Sequence, residues 1–354
     1  MRGYQMCLCK KVGKANDYLK EYKNILEIVL IAHVLEPRGY DNENQLNCPE
    51  TEHFSINEFS DIYQGIVNAG YYINKIFFNE LDFVIDISSN PKKYNNTVVF
   101  NLCRNGTGMN KKALIPAMCN LLNIAYTSSS AGCCALGRNK FLYTAFLSAN
   151  GISCPITSLS AEETISNLPV DRKIIYKPNT GSASQNINNK SIITAVDALK
   201  KNNENYLFQE YIDGYECEVP IFCSSGKAFA LSPVGISFNS GNYEGILSYD
   251  DSKNSNYGFY SLSEILSKDI CKKIKHEAIK VFNLLNLEIY GRVDFRIDKK
   301  TDKHYLIDIS TTPYITQHSS FAFEMKNQNC FYSDIFHLII AEAIYRNSSQ
   351  SVRN

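Results

Sequence analysis

Apolar residues along the chain recur with two periods, and the two alternate. The run ILEIVLIAHV at 25–34 is short, continuous and rich in β-branched residues, which predicts a buried strand. SINEFSDIYQGIVNAGYY (55–72) has its apolar residues at helical spacing and a glycine near its end. INKIFF, DFVIDI and NTVVFNLC supply further strand-like runs. NKKALIPAMCNLLN (110–123) predicts a helix, and IAYTSSS (124–130) a short strand and loop. Strand and helix in alternation argue for an α/β unit with a mostly parallel sheet, ending near residue 136.

The pattern then changes. GRNKFLYTAFLSANGISCP reads as a helix ended by Gly151 and then Pro155. KIIYKPNTGSASQNI (173–187) reads as strand, small-residue loop and strand, and YLFQEYIDGYECEVPIF (206–222) as strand, turn and strand. Helical periodicity holds through SEILSKDICKKIKHEAIKVFNLLN (263–286). The last helix, SDIFHLIIAEAIY (333–345), has Ser333 at its N-cap, and RNSSQSVRN after it reads as a frayed tail.

The runs YGRVDFRI (290–297) and HYLIDIS (304–310) flank a polar loop and predict a hairpin. With its tip at Thr301, Asp294 faces Asp308 and Arg292 faces Ser310. Those four share one face, and Val293, Phe295, Ile307 and Ile309 the other. Like charges directly opposite each other destabilise a sheet. Either a divalent cation sits between the acids, or Arg292 and Arg296 neutralise them as an ion-pair ladder.

Composition narrows the classes. A length of 354 residues favours two or three domains. Lys plus Arg and Asp plus Glu are both 36, which argues against bulk electrostatic binding to nucleic acid or an anionic membrane. The twelve cysteines are scattered and lack zinc-like spacing, so they read as reduced thiols in a cytoplasmic protein. The first residues carry no signal-peptide apolar run, and no apolar run reaches membrane-spanning length.

Two more stretches suggest phosphate and nucleotide chemistry. Lys177 ends an apolar strand and precedes Gly181, Ser182, Ala183 and Ser184, small residues that let backbone N–H groups approach phosphates. The order is not that of a Walker loop. Gln209, Glu210 and Glu216 flank the Asp213-Gly214 turn and can accept hydrogen bonds from an adenine amino group or ribose hydroxyls.

The order Lys140, Lys177 with its Gly-Ser loop, QEYIDGYE, GRVDF and DISTTP resembles the ATP-grasp superfamily. Within it, the D-alanine–D-alanine ligase group is the nearest likeness, from about residue 98 to 325. The resemblance implies an α/β chain with an ATP-grasp fold and an N-terminal Rossmann-like (pre-ATP-grasp) domain. Its units would be the N-terminal domain at 1–136, a central lobe at 137–208 and a C-terminal lobe at 209–354. Lys140 and Lys177 match the lysines that hold the ATP phosphates, and Ser182, Ala183 and Ser184 the lid over them. Gln209 falls at the adenine, Glu210 and Ile212 would offer backbone groups there, and Glu216 matches the ribose acid. Asp294 and Asp308 match Mg²⁺ carboxylates, and Ser310 falls where the family has a metal-binding Asn. Arg292 matches the arginine that steadies the transferring phosphate. Ser319 matches a serine contacting the acceptor's carboxylate.

Departures from the group concern the metal ligands, where Asp308 and Ser310 replace longer or stronger ones, and the substrate side. AHVLEPRGYDNEN follows the first strand in place of a Gly-Ser-Glu loop, with Glu36 as one candidate acid. The stretch 237–251 lacks the family's Lys-Tyr pair. Tyr314 stands where the ligases place a glycine whose N–H helps hold the oxyanion. The resemblance implies an ATP- and Mg²⁺-dependent carboxylate–amine ligase that works through an acyl phosphate on small molecules, as a homodimer through its first domain. The departures favour a substrate other than two D-alanines. D-alanine–D-alanine ligation itself, a thiol acceptor, and a nucleotide-binding homologue without ligase activity stand as alternatives.

Overall fold

The computed structural model describes residues 7–22, 25–34, 52–104, 108–169, 171–238 and 241–351. Glu36 lies outside them. Among the described residues three sheets organise the chain. The first is parallel, in the order β2-β1-β3-β4, from β1 (Glu27–Ala32), β2 (Tyr72–Phe77), β3 (Thr97–Leu102) and β4 (Ala125–Tyr126). The continuous apolar runs follow from burial on both faces. Ile28, Leu30, Val98 and Phe100 join one core, while Val29, Ile31 and Val99 join another. Ser55 and Glu58 form a capping box that starts the helix Ile56–Asn68.

DFVIDI, expected as a strand, lies within the helix Glu80–Ser89. Asn79 caps it by accepting from the Leu81 N–H, and Phe83 and Ile87, one turn apart, are its buried apolar contacts. Four apolar residues in six positions suit a buried strand or a short helix equally, and the cap decides.

The second sheet is antiparallel, in the order β5-β8-β6-β7, from β5 (Thr157–Ser158), β6 (Ile174–Pro178), β7 (Ile192–Ile193) and β8 (Tyr206–Glu210). The strand expected directly after the Gly-Ser loop is absent. Residues 182–187 turn instead, with the Gln185 N–H donating to Ser182 and the Ile187 N–H to Ser184.

The third sheet comprises β9 (Gly214–Ser224), β10 (Lys227–Ala230), β11 (Val234–Phe238), β12 (Tyr257–Ser261), β13 (Tyr290–Asp298) and β14 (His304–Ser310). Its order is β12-β11-β9-β13-β14, with β10 against the end of β9. Ile274, Ala278, Val281 and Phe282 of the helix Lys268–Leu284 cover the apolar face made by Val219, Val293 and Phe295. The opposite face carries the charged residues. Gly214 opens β9 at φ 155°, where a Cβ would collide with the Ile297 carbonyl. Only glycine allows β9 and β13 to pair so closely after the turn.

The final helix runs Asp334–Ser351, past the end expected from the sequence. Arg346 explains the extension, since Nη1 donates to the Ser128 carbonyl and Nη2 to the Tyr126 carbonyl, each at 2.7 Å. Among the described residues no helix is long and apolar enough to cross a membrane.

Candidate active site

The hairpin β13–β14 pairs Arg292 with Ser310, Val293 with Ile309 and Asp294 with Asp308, as the alternation predicts. The register then slips by one, so that Phe295 meets Leu306. This bulge corrects one expectation. Leu306 takes the core position, and Ile307 turns to the charged side and lines a cleft. Its carbonyl accepts a 3.3 Å hydrogen bond from Lys177 Nζ.

The cleft lies between the second and third sheets. Fourteen of the fifteen expected site residues line it: Lys140, Lys177, Ser182, Ala183, Ser184, Gln209, Glu210, Ile212, Glu216, Arg292, Asp294, Asp308, Tyr314 and Ser319. Ser310 is the exception. It sits at the end of β14, opposite Arg292 but outside the cleft wall.

Two buried lysines face the acids. Lys140 opens the helix Lys140–Ala149, donates its Nζ to the Gly181 carbonyl and lies 3.7 Å from Asp308 Oδ1. Asp308 Oδ1 also accepts from the Tyr143 hydroxyl at 2.7 Å and from the Ile309 N–H at 2.9 Å. Burial pushes the Asp308 carboxyl up, but Lys140, Lys177 and Tyr143 outweigh it and hold it below the usual range. Lys177 is shifted to about 8, chiefly by burial and then by Lys140. Two buried lysines lining one low-dielectric cleft are arranged to receive a polyanion.

Asp294 is crowded by acids. β9 brings Glu218 opposite it on one side, as β14 brings Asp308 on the other. Burial, Glu218 and Asp308 push its pKa up against the pull of Arg292. The donor set is all carboxylate oxygen, facing a cleft with phosphate-seeking lysines, which suits Mg²⁺. Among the described residues no three His, Cys, Asp or Glu side chains form a ready cage. Mg²⁺ ordinarily takes one or two carboxylates and completes its shell with phosphate oxygens and water.

The ion-pair reading holds in part. Arg292 forks onto Asp294 and pairs with Glu218. Arg296 does not touch either hairpin acid. It donates to the carbonyls of Ile212 (2.7 Å), Gly245 (2.7 Å) and Gly214 (2.9 Å), and to Glu216 (3.2 Å). It therefore ties the turn between β8 and β9 to the segment at 245. Gln209, expected to face a base, donates to Thr157 Oγ1 at 2.9 Å. The Glu210 N–H donates to the Ile156 carbonyl.

The Gly-Ser loop is anchored from beneath. Ala183 and Ser184 adopt left-handed conformations at φ 50° and 54°. The Ser182 hydroxyl donates to Glu52 and accepts from Arg138 Nη1 at 2.6 Å. Glu52 also pairs with Lys111 and Arg138. Burial raises the Glu52 carboxyl, but Lys112, Arg138 and Lys111 together drive it well below the ordinary range. Glu52, an acid beneath this loop that sequence reasoning missed, shortly precedes the helix cap at Ser55.

On the far wall, Tyr314 packs edge-on against Phe54, with their ring centres 5.1 Å apart, and its hydroxyl donates to the His53 carbonyl at 3.1 Å. The Arg104 guanidinium lies 5.0 Å from its ring. Ser319 caps the helix Ser320–Asn327 and donates to the Thr316 carbonyl at 2.6 Å. His318 lies among Tyr257 and Phe259. Sequence reasoning missed Glu218, Tyr257, Phe259 and Ile307 as wall residues. For Glu218 a signal existed, because it shares the alternation of Glu216 on one strand.

A family model described as D-ala D-ala ligase C-terminus matches residues 145–341, more than half of the chain. The chain belongs to that D-alanine–D-alanine ligase family. Among curated relatives of this family, the D-alanine–D-alanine ligase of Rickettsia bellii (strain RML369-C) is 25% identical over 260 residues. That match covers 72% of this chain and 76% of the relative. The D-alanine–D-alanine ligase of Bacillus anthracis, solved with ATP, superposes with a TM-score of 0.64 at 17% identity, over 92% of this chain and 99% of that one. The Coxiella burnetii enzyme gives 0.64 at 18% identity, over 93% and 98%. The ATP-grasp fold implied by the resemblance is therefore the fold of this family member.

Proposed function

We propose that the protein is an ATP-dependent carboxylate–amine ligase that joins two small amino acids, with D-alanine as donor and acceptor the first pair. One observation carries this reading: Lys140 and Lys177 converge on Asp308 in a cleft that Asp294 and Arg292 also line. In the proposed reaction a donor carboxylate oxygen attacks the γ-phosphorus of ATP, and ADP departs. The acceptor amine then attacks the acyl phosphate carbonyl, loses a proton and expels phosphate, leaving an amide.

In this reading Lys140 and Lys177 bind the phosphates and Ser182, Ala183 and Ser184 cover them. Gln209, Glu210, Ile212 and Glu216 line the base and ribose end. Arg292 stabilises charge on the transferring phosphoryl group and on the tetrahedral adduct, the kind of fixed donor that supplies most of the catalysis in phosphoryl transfer. Asp294 and Asp308 would hold Mg²⁺, which neutralises phosphate oxygens when bound; Ser310, outside the cleft, is the weakest member of that set. Tyr314 and Ser319 border the acceptor end. The division into units at 1–136, 137–208 and 209–354, a homodimer and a cytoplasmic location belong to the same proposal.

The relatives' names give the expectation of an unusual substrate no support. Tyr314 alone favours a second reading, a ligase with a different acceptor, since its ring occupies space that a glycine would leave open. Incubation with ATP, Mg²⁺ and single amino acids, with phosphate release and product mass as readouts, tests both. Hydroxylamine trapping of the acyl phosphate identifies the donor.

A further inference from the structure

Arg292 is gripped on two edges. Its Nε and Nη2 each lie 2.8 Å from an oxygen of Asp294, and its Nη1 lies 2.9 Å from Glu218 Oε1. Both carboxylates are buried, and each costs desolvation. A single bidentate carboxylate already neutralises and orients a guanidinium, so the second one needs a reason. The strand order supplies it. Across β9, β13 and β14 the acids run Glu218, Asp294, Asp308, with Asp294 in the middle. Strands lie about 4.8 Å apart, so Asp294 and Asp308 are the acids that would hold a cation, and Glu218 lies a strand further off. Consistent with that, the three acids do not converge on one point among the described residues. Asp294 thus faces two competing duties, the cation on one side and Arg292 on the other.

We propose that Glu218 is a positioning residue that keeps Arg292 over the cleft while Asp294 is drawn toward the cation accompanying the nucleotide. This inference rests on the functional reading above. Glu218 suits the task because it is buried, approaches the one guanidinium nitrogen that Asp294 leaves alone, and sits on the strand remote from the cation. With both acids present, the arginine and the cation do not have to share one carboxylate.

The test uses the full chain with Glu218→Ala and Glu218→Gln, each first checked for a cooperative melt. ATP binding is followed by calorimetry at increasing Mg²⁺, without donor or acceptor. In Glu218→Ala the Mg²⁺ needed for half-maximal ATP binding should rise about tenfold, as for other lost supporting contacts at metal sites. In the same variant kcat should fall about 10–100-fold while the KM for ATP at saturating Mg²⁺ stays near that of the parent. Glu218→Gln, whose amide oxygen still accepts from Nη1, should recover part of both losses, and it decides the question if the alanine variant does not fold. A parent-like Mg²⁺ requirement, or a parent-like kcat, in the folded variant overturns the proposal. If the parent releases no phosphate with any donor, the ligase reading fails, and the Mg²⁺ titration still decides the role of Glu218.

Discussion

Asp294 and Asp308 stand directly opposite each other on adjacent antiparallel strands, yet their surroundings pull the two carboxyls in opposite directions. Asp308 keeps its charge through Lys140, Lys177 and Tyr143, whereas burial and its neighbouring acids push Asp294 toward protonation. Replacing Asp308 with Asn removes the carboxylate that both lysines face. Turnover should fall by about 10²–10³-fold, the usual cost of one preorganised electrostatic partner. Steady-state phosphate release measures this, and an unchanged far-ultraviolet circular dichroism spectrum shows that the fold survives.

Lys177 gives a prediction in pH. Its pKa is lowered to about 8, so near pH 8 roughly half the molecules carry an uncharged amine. A bound phosphate chain favours the ammonium form and raises that pKa, so ATP binding near pH 8 should take up about half a proton. Calorimetry in buffers of different ionisation enthalpy reads the uptake directly. Lys177→Met should abolish it, and ATP affinity of the parent should decline as pH rises above about 8.

Arg296 should matter for stability more than for chemistry. It serves three carbonyls and Glu216, and its loss would leave the half-buried Glu216 without its nearest cation. Arg296→Ala should destabilise the protein by about 3–5 kcal/mol, as breaking buried ion pairs does. Arg296→Lys should rescue little of it, because an ammonium cannot span the same carbonyls. Urea titration of both variants checks this.

Tyr314 can be separated into ring and hydroxyl. Tyr314→Phe loses the hydrogen bond to the His53 carbonyl and should cost about 0.5–1.5 kcal/mol of stability with little change in substrate preference. Tyr314→Gly removes the ring from the cleft wall and should admit bulkier acceptors, as read by a panel of amino acids.

Much of this site was legible in the chain because strand alternation is a strict rule. Once YGRVDFRI and HYLIDIS were paired, the facing of Asp294 and Asp308 followed. What alternation cannot foresee is a bulge, and the slip after Asp294 moved Ile307 from the core to the cleft. Lys177 and its loop stood out through composition. Their support from Glu52 did not, because that contact joins residues 130 positions apart. Glu218 was passed over for a different reason. Its partner is across the sheet on β13, and strand order is not written in any one segment. The helix at Glu80–Ser89 shows the same limit locally, where six residues were too few to fix a period.

The most direct test of the account is phosphate release from ATP and Mg²⁺ with D-alanine supplied as both donor and acceptor, alongside a panel of other amino acids. Product is identified by mass spectrometry, and the parent is compared with Lys177→Ala. The account predicts amino-acid-dependent phosphate release matched one for one by a dipeptide in the parent, and loss of both in Lys177→Ala. Phosphate release that ignores every amino acid, or that persists at full rate in Lys177→Ala, would contradict it.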